Sequence, residues 1–385
     1  MRRLLTGLLL AAVLAGTAAA AQPERVLAVE WEADGGKLRW VSPTTLRPVG
    51  PAVLNVGGAP AKLVATSPDR SVAAIGGGER GRLRFVRLAG LRQLGRVLWL
   101  GDGFVLDGVW AAPQRLVVLL GGARPQVITI DPTARKVLRR EELEGTTMAT
   151  VRAGSRLLSL LAPRDRIGPV QLAIVGADGS VRTIAIPGIT AGVTPPASAD
   201  DVARYASPGL AAAGSRAVVL GRESLVEVDL ETLDVRERRL DPRTTARAEK
   251  RIEGWDRHAV WLEGDSIAYG GWSAAGAERT TIGVHVADVG TGATRTLDPR
   301  ASTVRRAGET LLAHGSGSLR GFRLDGSPRF ELLAGEDTGY LQVAGRWAYV
   351  GSGNSTRFTV VDVQAGLVAG RAETTKPTVV LAQSP

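Results

Sequence analysis

The stretch RLVVLLGGARPQVITIDPTARKVLRR, residues 115–140, contains two apolar segments and a third, basic one, separated by turn residues. Short apolar runs bounded by Gly, Pro and Asp are typical of β-strands. Nothing in this stretch has the spacing of a catalytic or metal-binding motif. The same pattern recurs along the chain, so the repetition itself is the main information in the sequence.

The repeated unit has a short strand, a turn, an apolar strand, a third strand, a second turn and a more polar fourth strand. Residues 148–186 show it clearly, with MATVRAGSRLLSLLAP followed by VQLAIVGADGSVRTIAI. Four strands in roughly 40 to 45 residues is the period of a β-propeller blade. The apolar second strands end near Trp31, Gly76, Gly121, Ala162, Gly221, Gly270, Gly315 and Gly351.

These ends predict an all-β propeller of eight four-stranded blades, or seven if residues 241–275 do not form a true blade. The repeats begin with ERVLAVEW (24–31), which matches the second strand of a unit, and end with a spare strand, KPTVVLAQSP (376–385). We therefore expect the C-terminal strand to join the N-terminal blade and close the ring, since closure leaves no open sheet edge there.

Aspartates recur where the third strand of a unit turns into the fourth. Asp131, Asp178, Asp229 and Asp288 occupy this place, with Gly or Thr nearby. Such side chains accept hydrogen bonds from nearby backbone amides in turns. A calcium site would need more closely spaced carboxylates, so we interpret these aspartates as turn residues.

The phrase V-x-x-x-D-x-x-T, clearest in VITIDPTARKVLR (127–139) and VEVDLETLDVRER (226–238), resembles the secreted bacterial propellers of the YVTN and quinoprotein-dehydrogenase-like superfamily. The resemblance covers nearly the whole chain after residue 21. It implies a propeller fold and leaves the function open. The repeats lack the Gly-His and Trp-Asp pairs of WD40 proteins. They also lack the repeated tryptophan docking motifs and the cysteine pair of true quinoproteins, so no quinone or other cofactor is expected.

The first residues, MRRLLTGLLLAAVLAGTAAAAQPER, combine a basic start, an apolar run and small residues ending near Ala21. This is the pattern of a secretory signal peptide, which we assign to residues 1–21. Residues 22–385 are then expected to be one propeller domain, secreted or otherwise extracytoplasmic. The alternative interpretation of residues 1–21 is a membrane anchor. No later segment is long and apolar enough to cross a bilayer, so no integral membrane contact is expected.

The bulk composition excludes several classes of site. The chain has no cysteine, which removes disulfides, thiolate metal sites and cysteine nucleophiles. Its net charge of +10 comes from dispersed arginines rather than from a basic run with aromatic residues between, so no nucleic-acid partner is expected. A basic surface could hold the protein near anionic wall polymers or lipids. We expect a monomer.

The three histidines, His258, His285 and His314, all fall within two consecutive units. They lie on different predicted strands without a metal-ligand spacing, and structural roles are favoured for them. No Gly-x-Ser-x-Gly elbow, phosphate-binding loop or zinc-protease helix is present. The enzyme alternative is a lyase or hydrolase in which His258 or His314 holds a divalent metal, as in a family of propeller lyases that act on cyclic peptide antibiotics.

Two insertions, residues 187–209 and 241–256, connect the fourth strand of one unit to the first strand of the next. All such connections emerge on one face of a propeller, and these two are consecutive, so they should be neighbours. The second leads into an aromatic segment suited to anchoring partners, although packing between blades explains the same residues. Our candidate binding residues are Trp255, His258, Trp261, Trp272 and His314.

The sequence therefore predicts a non-catalytic binding or scaffolding protein that uses the loop-rich face and the mouth of the channel. Its partner would be a protein, a peptide or a cell-envelope polymer. No metal site or catalytic residue is assigned, and the metal-assisted lyase or hydrolase at the same face is the alternative.

Overall fold

A computed structural model describes residues 24–33, 35–57, 61–77, 81–196, 203–241, 253–275, 278–315, 317–334, 339–351 and 356–383. Within these ranges the regular structure is β, and no helix has the length and apolar character needed to span a membrane. The proposed signal peptide, residues 1–21, lies outside the described residues.

The strands follow one another in short hairpins. The first third of the chain contains β1 (Val26–Glu32), β2 (Gly35–Val41), β3 (Pro48–Gly57), β4 (Lys62–Thr66), β5 (Val72–Gly76), β6 (Arg82–Arg87), β7 (Arg92–Gln93), β8 (Leu98–Trp99), β9 (Phe104–Ala112), β10 (Arg115–Gly121), β11 (Gln126–Asp131) and β12 (Lys136–Glu142). The middle contains β13 (Thr146–Ala153), β14 (Arg156–Ala162), β15 (Gly168–Val175), β16 (Val181–Thr194), β17 (Arg204–Ser207), β18 (Gly209–Ala213), β19 (Arg216–Leu220), β20 (Ser224–Asp229) and β21 (Val235–Arg239). The last third contains β22 (Gly254–Trp261), β23 (Ser266–Ala275), β24 (Glu278–Thr281), β25 (Val284–Asp288), β26 (Thr294–Asp298), β27 (Thr303–Ala307), β28 (Thr310–Gly315), β29 (Ser318–Arg323), β30 (Pro328–Leu332), β31 (Tyr340–Ala344), β32 (Trp347–Gly351), β33 (Arg357–Asp362), β34 (Leu367–Glu373) and β35 (Thr378–Gln383).

Neighbouring sheets meet through their first strands, which form the inner wall of a ring. Along this wall β4 contacts β9, β9 contacts β13, β13 contacts β18, β18 contacts β22, β22 contacts β27, and β27 contacts β31. The series returns to its start because β31 contacts β35 and β35 contacts β4. The all-β propeller predicted from the repeats is therefore confirmed as the fold.

The predicted number of eight, or otherwise seven, separate four-stranded blades is wrong. Six sheets stand apart as blades: β3-β2-β1-β35, β4 to β7 with β8, β9 to β12, β18 to β21, β27 to β30 and β31 to β34. The strands from β13 to β17 and from β22 to β26 form one ten-stranded sheet. The cause is β17, which the repeat count treated as part of a loop and which hydrogen-bonds to β16 on one side and to β22 on the other.

The ring closes through the two ends of the chain, as predicted. Strand β35 pairs antiparallel with β1, with Val379 opposite Val29 and Thr378 opposite Glu30. The sheet of β1, β2 and β3 thereby receives its innermost strand from the C-terminus. Val380 packs there with Val26 and Tyr349, so the pairing also completes the core against the sheet of β31 to β34.

The core lies between sheets, and the opening stretch shows why the apolar strands have no polar face. In β10, Leu116 and Val118 pack toward the sheet of β4 to β8, while Val117 and Leu119 pack toward β13 to β16. Successive side chains of a strand point to opposite faces, so a strand sandwiched between two sheets must be apolar throughout.

The turn aspartates have the role predicted for them. The Asp131 carboxylate accepts hydrogen bonds from the amides of Thr133 at 2.8 Å and Ala134 at 2.9 Å. Asp229 accepts from the amides of Glu231 and Thr232 in the same way. These carboxylate oxygens are occupied by the backbone of their own turns.

Removing the last strand tests the closure of the ring. A chain ending at Pro377 loses the buried Thr378 and Val380 side chains and leaves β1 as an open edge. We expect its Tm, measured by circular dichroism, to fall by at least about 5 °C. A chain ending at Gln383 is the control and should unfold like the full chain; equal Tm values for the two truncations would contradict the closure.

Candidate functional site

The two predicted insertions meet at one end of the ring, which confirms that they are neighbours. Strand β17 comes from the first insertion and pairs in parallel with the start of β22, which lies at the end of the second insertion. The register places Tyr205 opposite Gly254 and Ser207 opposite Asp256. We call this end, where first strands begin and second strands end, the entry face. Residues 197–202 and 242–252 of the insertions lie outside the described residues.

Gly254 lets an aromatic side chain lie against the strand backbone. A Cβ atom placed on Gly254 would come within 2.1 Å of the Tyr205 ring. The Tyr205 ring instead packs against the Trp272 ring, with the centroids 4.9 Å apart. The Arg279 guanidinium covers the Trp272 ring at 4.3 Å, a cation-π geometry. The Tyr205 hydroxyl is buried and has no hydrogen-bond partner among the described residues.

Asp256 and His258 lie two residues apart on β22, so their side chains share one face of the strand. The His258 Nε2 atom is 3.2 Å from the Asp256 Oδ2 atom. Burial lowers the pKa of His258, while the charge of Asp256 opposes this and the charge of Arg305 adds to it. Arg305 comes from β27, the first strand of the next sheet. Its enclosed position on the inner wall lowers its pKa by desolvation, and the charge of Asp256 acts in the opposite direction.

His314 lies at the end of β28, opposite Thr303 of β27. Its side chain is buried, and its Nε2 atom has no hydrogen-bond partner in the part of the chain that the structure describes. Burial, together with the nearby charge of Arg305, lowers the pKa of His314 to about 4. The imidazole is therefore neutral at physiological pH.

Arg257 points to the opposite face of β22 and is only 3% exposed. Its Nη1 atom donates to the backbone carbonyls of Asp256 and Trp272, both at 2.9 Å. Its Nη2 atom is buried without a partner among the described residues. Burial lowers the pKa of Arg257 to about 10, and the charge of Arg222 acts in the same direction. The guanidinium nevertheless remains charged at neutral pH.

We define the β22 cluster as Tyr205, Asp256, His258, Arg305 and His314, together with Arg257, which lies on the opposite face of β22. Of the five residues predicted from the sequence, it contains His258 and His314, and Trp272 packs on its Tyr205. Trp255 is buried beside the cluster, with the Arg257 guanidinium 5.5 Å from its ring.

Trp261 ends β22 at the opposite end of the ring. Its Nε1 atom donates to the Gly264 carbonyl, and the ring packs in the core toward the sheet of β18 to β21. His285 is also separate from the cluster: its Nε2 atom lies 2.7 Å from the Ile282 carbonyl, and its ring packs 5.2 Å from that of Tyr269.

Sequence reasoning missed Tyr205, Asp256, Arg257 and Arg305. The arginines were interpreted as part of a dispersed, solvated set, because a strand pattern does not tell which charged residue faces an inner wall. One signal was available: the segment GWDRHAVW (254–261) concentrates three ionisable residues in a first strand. First strands line the inner wall, and buried ionisable groups there are candidates for function.

A metal centre of three or more His, Cys, Asp or Glu side chains does not occur within the described ranges. Asp256 and His258 contact each other. The charge of Arg305 acts on the pKa of both His258 and His314. The cluster therefore combines guanidinium groups, one carboxylate and two imidazoles, of which that of His314 is neutral at physiological pH. It can donate hydrogen bonds and supply positive charge to a bound group.

No family model matches the chain, and no curated protein matches its sequence. Solved structures do resemble it. The crystal structure of Citrobacter koseri AztD superimposes with a TM-score of 0.56 and 11% sequence identity, over 94% of this chain and 98% of that one. The structure of apo AztD from the same organism superimposes with a TM-score of 0.56 and 12% sequence identity, again over 94% of this chain and 98% of that one. The structure of dihydro-heme d1 dehydrogenase NirN in complex with DHE superimposes with a TM-score of 0.57 and 11% sequence identity, over 92% of this chain and 74% of that one.

These similarities place the chain among β-propeller proteins. At 11 to 12% identity they concern the fold alone.

The depressed pKa of His314 has a consequence for stability. Its value of about 4 in the folded protein lies below the usual 6.5, so the unfolded chain binds more protons between these pH values. The free energy of unfolding should therefore be fully retained above pH 6.5 and fall as the pH drops toward 4. The loss between pH 7 and pH 5 attributable to this residue is about 2 kcal/mol.

Urea unfolding of the wild type and of His314→Gln at both pH values measures this loss. The wild type should lose about 2 kcal/mol more than the variant. The lowered pKa values of His258 and His285 act in both proteins and cancel in the comparison. Equal losses would contradict a buried neutral imidazole at this position.

Proposed function

We propose that the chain is a secreted or otherwise extracytoplasmic β-propeller that binds a partner at its entry face without catalysing a reaction. The observation that carries the proposal is the parallel pairing of β17 with β22. It brings two insertions together beside one cluster of aromatic, cationic and unpartnered polar groups. The extracytoplasmic location rests on the signal-peptide pattern of residues 1–21. Membership of the YVTN and quinoprotein-dehydrogenase-like superfamily belongs to the same proposal.

Binding sites are often built from loops that a rigid scaffold holds in place at one end. The strands below the cluster are packed on both faces, so the cluster is held by a rigid wall. Trp272 is partly exposed there and is stacked between Tyr205 and Arg279. A partly exposed, preorganised tryptophan is the kind of side chain that contributes most to interfaces. The partner would be a protein, a peptide or a cell-envelope polymer.

The chemistry of the histidines also favours binding over acid-base catalysis. A general acid or base works best with a pKa near the working pH. The pKa of about 4 at His314 is far from neutrality, and the pKa of His258 is lowered as well. The His314 imidazole is therefore not tuned for proton transfer at neutral pH.

One observation favours the metal-assisted lyase or hydrolase as a second candidate. His314 is a neutral imidazole with an unpartnered Nε2 atom, which is the state that binds a divalent metal. Propellers also include enzymes, since NirN is described as a dehydrogenase.

Capture by cell-envelope fractions tests the binding proposal. Purified protein is sedimented with insoluble envelope polymer at about 0.05 M and 0.5 M salt, to separate a specific site from screened surface charge. We expect capture to survive high salt and to weaken at least about tenfold in Trp272→Ala. The matched control is Trp99→Ala, since Trp99 is 62% exposed on a separate blade. Equal capture of the wild type and Trp272→Ala, with both folded by circular dichroism, would contradict the proposed site.

Metal analysis separates the two candidates. The protein is purified after export, without chelator, and its metal content is measured beside that of His314→Ala. The binding proposal expects substoichiometric metal in both proteins. One divalent metal per chain that is lost in the variant would replace the binding proposal with the metal-assisted enzyme.

A further inference from the structure

A cleft of about 470 Å³ lies between two adjacent sheets, that of β4 to β8 and that of β9 to β12. Its walls include the turn from β4 to β5, the turn from β9 to β10 and the turn from β11 to β12. First and third strands end at these turns, so the cleft is at the end of the ring opposite the entry face. We call it the turn cleft. Its volume is in the range of small-molecule sites, roughly 300 to 1,000 Å³.

The inner side of the turn cleft is the uncovered end of the core between these two sheets. Val72, Leu94 and Trp110 line the cleft and pack on the buried core residues behind them. The Trp110 ring meets the Phe85 ring edge-on, with the centroids 6.0 Å apart. The three lining side chains are only partly buried. An apolar ring placed in the cleft would therefore remove their remaining surface from water, which favours binding.

The rim of the turn cleft is preorganised. Pro68, Pro113 and Pro132 line it, one from each of the three turns. A proline ring fixes the backbone angle φ of its residue. The turn from β4 to β5 is also held by the Ser67 hydroxyl, which accepts a hydrogen bond from the Val72 amide at 2.9 Å. A rim that is already ordered loses little conformational entropy when a ligand binds.

Two arginines supply positive charge to the turn cleft from its two sides. Arg87 ends β6 of one sheet, and Arg135 comes from the turn before β12 of the other. The Arg135 side chain extends to the neighbouring sheet, since a Cβ atom placed on Gly95 would overlap with its guanidinium. Within the described ranges, neither guanidinium forms a salt bridge or a hydrogen bond. Both are therefore available to a ligand.

Among the described residues, Asp69 is the one carboxylate that lines the turn cleft, and its own turn occupies its oxygens. The Oδ1 atom accepts a hydrogen bond from the Ser67 hydroxyl at 2.5 Å, and the Oδ2 atom accepts one from the Ser71 hydroxyl at 2.7 Å. These hydroxyls and the Ser71 amide lower the pKa of Asp69 to about 2. Two available guanidinium groups against one occupied carboxylate favour an anionic ligand, and guanidinium groups match carboxylates in geometry.

We propose that the turn cleft binds a small aromatic carboxylate, with its ring on Trp110 and its carboxylate facing Arg87 and Arg135. An ammonium group would face the two arginines and find the Asp69 oxygens already occupied. A neutral ring would gain the apolar contacts and leave the arginines unpaired. The site is at the other end of the ring from the entry face, so it is additional to the proposed binding function and does not depend on it.

Titration calorimetry with probes of one ring system tests the chemistry. The probes are 2-naphthoate, the neutral 2-naphthylmethanol and the cationic 2-naphthylmethylamine. We expect 2-naphthoate to bind at least about tenfold more tightly than either, because it alone pairs with the arginines. Acetate has the charge without the ring and should also bind at least about tenfold more weakly than 2-naphthoate.

Arg87→Gln and Arg135→Gln locate the site. Neither side chain has a polar partner in the part of the chain that the structure describes, so both variants should fold like the wild type. Each should bind 2-naphthoate at least about tenfold more weakly. The matched control is Arg236→Gln, which removes an exposed arginine from β21 in another sheet. It should bind 2-naphthoate like the wild type.

Three results would overturn the proposal. They are wild-type affinity for 2-naphthoate in either cleft variant, the absence of 2-naphthoate binding, and binding of the neutral or cationic probe as tight as that of 2-naphthoate. Trp272→Ala separates the turn cleft from the entry face, because it should weaken envelope capture and keep its affinity for 2-naphthoate. If Trp272→Ala is folded but binds 2-naphthoate more weakly, the probe occupies the entry face and the turn-cleft proposal fails.

Discussion

The antiparallel pairing of β35 with β1 is the constraint on which the rest of the structure depends. Every sheet in the ring buries both faces against its neighbours, so no sheet is stable alone. The sheet of β1 to β3 has its inner strand supplied by the other end of the chain. Because the chain has no cysteine, no disulfide can fasten the two ends. The backbone hydrogen bonds of this pair and the packing of Val380 do so instead.

Packing between two adjacent sheets of the ring fixes the candidate site. Asp256 and His258 lie on β22, Arg305 on β27 and His314 on β28, which belong to two different sheets. Their mutual positions depend on the packing of Val260 and Leu262 against Val304 between those sheets. The strand pair β17 and β22 adds a direct backbone connection at the entry face, and this connection also fuses two groups of strands into one sheet.

Much of this fold could be predicted from the sequence, because a strand buried on both faces and an aspartate turn leave clear local patterns. The pairing of the two chain ends followed from counting strands within a unit. The number of separate blades could not be predicted, since Arg204–Ser207 is too short and too polar to be recognised as a strand before its partners are known. At the proposed site, His258, Trp272 and His314 were predicted as rare residue types. Arg257 and Arg305 were missed because burial on an inner wall depends on tertiary packing.

Amide hydrogen exchange resolved by mass spectrometry tests the closure of the ring most directly. If β1 and β35 are partners in one sheet, peptides covering residues 26–32 and 378–383 should both be protected, to the degree of inner strands elsewhere in the ring, and should become exposed together in rising denaturant. Exchange of residues 378–383 at the rate of an unstructured chain, while residues 26–32 stay protected, would contradict the account.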